Sequence, residues 1–321
     1  MFATRRSAIG AVLAATLSAP GHSDANNARL GEHSAKSSSE VFEEQQVLVK
    51  GVPVRYESRG SGRPVVMIHG FTLDRRSLVG CMEPVFAGRT GWRRIYFDLP
   101  GMGRTPGSGA IASSNDMLDV VLGFIDAVIP GQRFSLVGQS YGGYLARGVL
   151  ARKAASIDGM ALICPVVVAE RSKRDLPQHT VVAQAAAFLA SLSGTDAEGF
   201  TANFVVQNRQ TWERFHAELL PGIRRADQAF LKGIANRYAL SVDPDALSQP
   251  FSRPVLVLAG REDSDVGYRD QWKLAEKFPR VTFGVLDRAG HGLAIEQASV
   301  FTGLIREWLD RVAEAAIRTR I

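Results

Sequence analysis

The chain has 321 residues, 45% of them hydrophobic and 22% charged, with a formal net charge of +6, which is ordinary for a globular protein with room for a sizeable core. Lys and Arg are scattered among acidic residues, and no zinc-finger spacing, basic-region helix or aromatic RNA-binding motif occurs, so a nucleic-acid partner is not expected. Cys81 and Cys164 lie far apart, outside any Cys-x-x-Cys motif, and read as buried thiols rather than a disulfide framework.

At the amino terminus, Thr4-Arg5-Arg6-Ser7 precedes an apolar, alanine-rich segment from Ala8 to Ala19, and Ser23-Asp24-Ala25 offers small residues for cleavage. A twin arginine ahead of a mild apolar stretch is the pattern of a twin-arginine (Tat) export signal, implying removal of residues 1–25 and delivery to a bacterial periplasm. The segment is too short for an ordinary transmembrane helix and no later run is longer, so no span is expected after processing. Residues 26–40 are polar and read as a disordered linker.

After the linker, short β-branched runs alternate with helical patterns. "QVLVKG" and "VPVRYES" form a predicted hairpin around Gly51. Further strands are predicted at "PVVMIHG", "RRIYFDLPG", "RFSLVG", "GMALICP", "PVLVLAG" and "VTFGVLD", with helices near 77–87, 113–129, 141–153, 266–278 and 298–318. The inner runs are continuously apolar, so those strands are expected to be covered on both faces. Antiparallel strands followed by strand–helix repeats give an α/β fold with a mostly parallel sheet. Between Val166 and Pro250 no strand is predicted, only helical stretches such as "HTVVAQAAAFLASL", "TANFVVQNRQTWERFHAELL" and "ADQAFLKGIANRYAL". So long an interval cannot be a plain loop. The expected organisation is a core at 41–165 and 251–321 with a helical cap, 166–250, over the carboxyl edge of the sheet, where open α/β sheets place ligands.

Gly138-Gln139-Ser140-Tyr141-Gly142 follows the strand "RFSLVG" and opens the helix beginning at Tyr141. A serine on such a sharp turn is held in a strained backbone, and the glycines two positions either side remove side chains that would meet neighbouring elements. The helix start turns free N–H groups and a positive dipole end toward charge forming beside the hydroxyl. A serine hydroxyl needs a base to act as a nucleophile. Acidic residues follow one predicted strand in "PVLVLAGREDSD", and His291 follows the last in "VTFGVLDRAGHGLAIEQ", giving the order serine, acid, histidine.

With His69-Gly70-Phe71-Thr72, Asp98-Leu99-Pro100-Gly101-Met102-Gly103-Arg104-Thr105, Gly138 to Gly143, Gly260-Arg261-Glu262-Asp263 and Gly290-His291 in this order, the chain resembles the α/β-hydrolase family from about Gln46 to Arg311. The resemblance implies an eight-stranded sheet, with Ser140 as nucleophile, His291 as general base and acid, and Asp263 orienting the imidazole. It also implies an oxyanion hole formed by the backbone N–H groups of Phe71 and Tyr141. Asp265 is expected to act as a loop hydrogen-bonding residue and His69 as a structural brace. The loop after Asp263 departs from the family's frequent ending in proline. His179 and His216 are expected to be surface or packing residues, with no metal site implied.

In the cap, Phe200, Phe204, Trp212, Phe215 and Tyr238 could line a pocket or pack the cap on itself. Arg171, Arg174, Arg209, Arg214, Arg224 and Arg225 are expected on a solvated face. The implied activity is cofactor-free serine hydrolysis of a small ester, lactone or related acyl substrate. Carbon–carbon bond hydrolysis, peptidase or perhydrolase chemistry, or a non-catalytic ligand-binding member of the fold, are the alternatives. "HGFTLDRRS" is similar to enol-lactonase and meta-cleavage hydrolase relatives, and the cap is similar to that of proline iminopeptidases.

Overall fold

The computed structural model describes residues 43–318; the export signal and linker expected over 1–40 lie outside the described residues. The chain opens with β1 (Gln45–Val49), β2 (Val52–Arg59), β3 (Arg63–Ile68), α1 (Arg76–Phe86), β4 (Trp92–Phe97) and α2 (Ser114–Val128). It continues through β5 (Phe134–Gln139), α3 (Tyr141–Lys153) and β6 (Ile157–Ile163). The eight-stranded sheet has the order β1-β2-β4-β3-β5-β6 and is completed by β9 (Val255–Gly260) and, after α9 (Tyr268–Ala275), β10 (Val281–Leu286). Only the β1–β2 and β2–β4 pairings are antiparallel. The fold is thus an α/β, mostly parallel sheet with helices on its faces.

The central strands follow from their composition. Every residue of β5 and β9 is buried, and β3 and β6 nearly so; helices cover both sides, so polar alternation has no solvent face to serve. β2, which carries the antiparallel pairing, keeps partly exposed positions. α3 is buried continuously from Tyr141 to Leu150 because it is sandwiched between the sheet, α2 and later segments. Cys81 and Cys164 are both free and buried. Among the described residues, no helix is long and apolar enough to cross a membrane.

Between β6 and β9 lie β7 (Ala183–Gln184), α4 (Ala186–Leu189), α5 (Thr195–Asn203), β8 (Val206–Gln207), α6 (Arg209–Arg214), α7 (Leu220–Arg225) and α8 (Gln228–Ala235). Sequence periodicity predicts longer helices here and no strand, and the structure differs on both counts. Val182 and Ala183 donate their N–H groups to the Val205 carbonyl at 2.8 and 3.1 Å, and β7 runs parallel to β8. The apolar "TVVAQ" is therefore spent on a two-residue ladder, and only four residues of the predicted helix remain. β-Branched Val205 and Val206 follow the end of α5 at Asn203 in place of further helix, and Asn208 starts α6 with a capping box through Thr211. These local signals outweigh the 3.6-residue pattern. A wide turn, Phe215–Leu219, then joins α6 to α7.

The segment after α8 is clamped to α3 by a buried ion pair. Arg147, 2% exposed, donates Nε to Asp245 Oδ1 at 2.7 Å and Nη1 to the Val166 carbonyl at 2.7 Å. Truncating the cation leaves the buried Asp245 carboxylate with only the half-exposed Lys277 ammonium, 3.7 Å away, against its charge. Arg147→Ala should lower unfolding free energy by about 3–5 kcal/mol, measured as a shift of the denaturant midpoint.

Candidate active site

Ser140 sits between β5 and α3 with φ 54° and ψ −117°, in a region that non-glycine residues avoid. Three hydrogen bonds hold it there. Its N–H donates to the Ile163 carbonyl at 2.9 Å, and its own carbonyl accepts from Tyr144 and Val166 at 3.2 and 3.1 Å. The flanking glycines are steric requirements. A Cβ on Gly142 would lie 2.0 Å from the Ile68 carbonyl oxygen, and one on Gly138 would lie 2.5 Å from that of Gly142.

The loop after β9 brings Asp263 beneath this turn, fully buried. Its Oδ1 accepts from the N–H groups of Asp265 and Val266 at 2.9 and 3.1 Å, so two backbone donors fix the carboxylate plane. Its Oδ2 lies 2.9 Å from His291 Nδ1, and His291 Nε2 lies 2.9 Å from Ser140 Oγ. The structure therefore brings Ser140, His291 and Asp263 into one chain of contacts. Asp265 takes no part in it and pairs with Arg171 at 2.9 Å. Without a proline, the loop turns through Gly267, whose φ is 68° and whose N–H bonds to the Asp263 carbonyl at 3.1 Å.

The electrostatics suit proton transfer. Burial alone would raise the Asp263 carboxyl, but the His291 ring and the backbone donors hold it below the usual carboxylate value. Burial would lower His291, yet the Asp263 carboxylate beside it outweighs that and raises the imidazole above 6.5. A neutral His291 can accept the Ser140 proton, and Asp263 stabilises the imidazolium formed.

Tyr141 follows Ser140 in the chain, and the ring of Phe71 packs against that of Tyr141. Tyr141 is the first residue of α3, so its N–H has no acceptor within the helix. The residue before Phe71 packs directly on the Ser140 turn, since a Cβ on Gly70 would lie 3.3 Å from Ser140 Cβ. The Phe71 ring stands edge-on to Tyr141 at 5.2 Å and to Tyr238 at 5.8 Å, and Tyr238 stacks on Tyr144. Ser114 Oγ and Tyr141 Oη lie 2.8 Å apart. His69 is a brace: its Nε2 accepts the Leu99 N–H at 3.0 Å, so its Nδ1 is the donor to the Gly70 carbonyl at 2.8 Å. Burial lowers its pKa and keeps the ring neutral.

The cap aromatics divide. Phe200, Phe204, Trp212 and Phe215 pack together with Leu220 and Ile295, while Tyr238 packs against the rings of Phe71, Tyr141 and Tyr144. Arg174 and Arg214 are not on a solvated face. Arg174 donates to the carbonyls of Val168, Ala169 and Asp265 at 2.8, 3.1 and 2.9 Å, tying the chain after β6 to the Asp263 loop. Arg214 pairs with Glu218 at 2.6 Å. Such roles depend on backbone carbonyls and distant partners, which residue type alone does not reveal.

Two further groups escape sequence reading. Cys164, with φ 43°, is fully buried behind the acid loop, and its thiol is pushed well above its ordinary value by burial and then by Asp263. Its sulfur, an Asp263 oxygen and a His291 nitrogen lie within 4.8 Å of one another. That is the set of described residues here with ligand atoms for a metal, but a thiol so raised resists the deprotonation metal binding requires. The second is Glu296, at the end of α10 (Leu293–Glu296) and just before α11 (Ala298–Arg318). Its carboxyl accepts the N–H groups of Gly290, Val205 and Val206, and burial, followed by the nearby Asp263 charge, raises it to about 7 against the opposing backbone donors.

A mostly parallel eight-stranded sheet, with a serine on a left-handed strand-to-helix turn and an acid and a histidine in the loops after later strands, defines a hydrolase of the α/β class. The family model described as alpha/beta hydrolase fold matches residues 63–298, and the chain belongs to that family. It is 23% identical over 287 residues to a 2-hydroxy-6-oxo-6-(2'-aminophenyl)hexa-2,4-dienoic acid hydrolase of Metapseudomonas resinovorans, covering 88% of this chain and 96% of that protein. An alpha/beta superfamily hydrolase from Oenococcus oeni PSU-1 superposes with a TM-score of 0.75 at 28% identity, covering 84% of this chain and 99% of that one. A thermophilic esterase from Thermogutta terrifontis superposes with a TM-score of 0.62 at 25% identity, covering 84% and 99%.

Gly142→Ala should cost about 3 kcal/mol, read from the unfolding midpoint, because the new methyl meets backbone oxygens rather than a movable side chain. In Asp263→Asn the His291 imidazole should titrate at lower pH than in the wild type. An NMR titration of the ring checks the sign, since burial then acts without the opposing carboxylate.

Proposed function

We propose that this hydrolase cleaves a small ester, lactone or related acyl substrate through an acyl-enzyme. The observation that carries the reading is the pair of 2.9 Å contacts linking Ser140 Oγ to His291 Nε2 and His291 Nδ1 to Asp263 Oδ2. Ser140 attacks the carbonyl carbon as His291 takes its proton, and the tetrahedral oxyanion accepts hydrogen bonds from the backbone N–H groups of Phe71 and Tyr141. Collapse breaks the bond to the leaving oxygen, which takes the proton back from His291. A water, deprotonated by the same imidazole, then attacks the acyl carbon; its second collapse releases the acid and returns the proton to Ser140 Oγ. The sequence of steps calls for a small-molecule substrate and no cofactor.

A second reading, hydrolysis of a carbon–carbon bond, is supported by the relative from Metapseudomonas resinovorans, whose name describes a hexadienoic acid hydrolase. There the leaving group is a carbanion equivalent and the same serine receives the acyl fragment. The ester reading is supported by the Thermogutta terrifontis esterase at comparable identity and by the smaller demand it places on the site, since an alkoxide leaves with one proton from His291.

The wild-type protein should turn over a short-chain p-nitrophenyl ester and be labelled at Ser140 by a fluorophosphonate. The rate should rise with pH as His291 loses its proton, with the midpoint above 6.5. His291→Ala should lower kcat by roughly ten-thousandfold with folding intact. A vinylogous diketone hydrolysed with a higher kcat/KM than any ester would transfer the assignment to carbon–carbon cleavage.

A further inference from the structure

We propose that Glu296 is a positioning residue that joins the cap to the loop carrying His291, so that docking of the cap and placement of the catalytic imidazole are a single event. The inference rests on the serine-hydrolase reading for its kinetic consequence, and on geometry for the coupling itself. One oxygen of the carboxyl, Oε2, accepts the Gly290 N–H at 2.7 Å, immediately before His291. The other, Oε1, accepts the N–H groups of Val205 and Val206 at 2.7 and 3.1 Å. Val205 lies in the short link after α5 and Val206 begins β8, and the Val205 carbonyl in turn receives the N–H groups of Val182 and Ala183. A single carboxyl therefore holds the histidine loop with one oxygen and the cap's two-stranded ladder with the other.

The residues before Glu296 make the same connection in other ways. Arg214 of α6 donates to the Ala294 carbonyl at 3.1 Å, and Ile295 is buried in the cap's aromatic cluster with Phe200, Phe204 and Phe215. The two glycines around His291 allow close approach of the cap. A Cβ on Gly292 would lie 2.9 Å from the Phe204 ring, and one on Gly290 would lie 3.2 Å from Val205 Cγ1. Segment 203–206 thus rests on the backbone either side of the imidazole. Among the described residues no cation pairs with Glu296 within salt-bridge distance, and all three partners are backbone donors. An ionised carboxyl satisfies both sides at once, whereas a glutamine amide must turn an NH2 toward one of them and leave that N–H opposed by another donor.

The experiment uses the full folded chain at pH 8 and three readouts. Native-state hydrogen exchange of the wild type should show the amides of Gly290, Val205 and Val206 opening with a common free energy, below that of β5 and β9. Glu296→Gln should accelerate exchange at all three by about tenfold or more, with little change in the central strands. In the same variant KM for a p-nitrophenyl ester should rise, kcat should fall by about tenfold, and fluorophosphonate labelling of Ser140 should slow in proportion to kcat, since a displacement of about 1 Å at the imidazole has effects of that order or larger. A residue that only supports the fold would lower the unfolding midpoint while leaving kcat and KM of the folded protein unchanged, and that result would overturn the proposal. Independent opening of the cap and histidine-loop amides in the wild type would overturn it without any variant. Loss of ester turnover and of labelling in the wild type would instead defeat the serine-hydrolase reading, while the exchange result would still stand or fall by itself.

Discussion

The left-handed backbone at Ser140 is the constraint around which the rest of the molecule is arranged. A non-glycine residue there costs on the order of 1–3 kcal/mol and persists only where its surroundings over-determine it. Here they do. The Ile163 carbonyl, the Val166 N–H and the first turn of α3 hold the serine's own peptide groups, and two glycines let β3 and α3 close to within contact of the turn. The hydroxyl is thereby lifted above the carboxyl edge of the sheet, beside a helix start whose N–H groups are free to meet negative charge. Every other feature of the site is positioned relative to that point.

Pairs of like residues are then driven in opposite directions by their neighbours. His69 and His291 both lie against the same sheet edge, but burial lowers His69 despite the opposing charge of Asp98 and keeps it neutral, while at His291 the adjoining Asp263 carboxylate overrides burial and raises the ring. Asp263 and Glu296 are both carboxyls accepting two or three backbone N–H bonds. Asp263 has the imidazole as a partner and is lowered against its burial; Glu296, with no such partner among the described residues, is raised by burial and then by Asp263 itself. The contrast follows from which charge each group faces rather than from burial alone.

The cap shows how local and tertiary preferences compete. Its sequence is rich in alanine and leucine and reads as helix, yet Val182 and Ala183 are drawn into pairing with Val205 because the unpaired N–H and C=O groups of each segment satisfy one another. Of the aromatic residues that could line a pocket or pack the cap on itself, Phe200, Phe204, Trp212 and Phe215 fill the cap's own interior; Tyr238 packs instead on Phe71, Tyr141 and Tyr144. Arg174, one of a scatter of basic residues in sequence, becomes a clamp across two loops because three carbonyl oxygens converge on it.

Features that depend on short-range pattern can be read from the chain before it folds. The buried strands are legible in continuous apolar runs, the sharp turn at Ser140 in glycines spaced about a serine, and the order serine, acid, histidine in the loops that follow strands. The choice of Asp263 over Asp265 came from its position after Gly260, and the structure places only Asp263 against His291. What the tertiary structure alone decided is everything carried by partners far apart in the chain: the breaking of the cap helices, the clamp at Arg174, the thiol of Cys164 behind the acid loop, and the link from Glu296 to Val205 and Val206. A carboxyl five residues after a histidine has no periodicity to mark it. Its role exists only once folding brings the amide groups of a segment some ninety residues earlier within hydrogen-bonding distance.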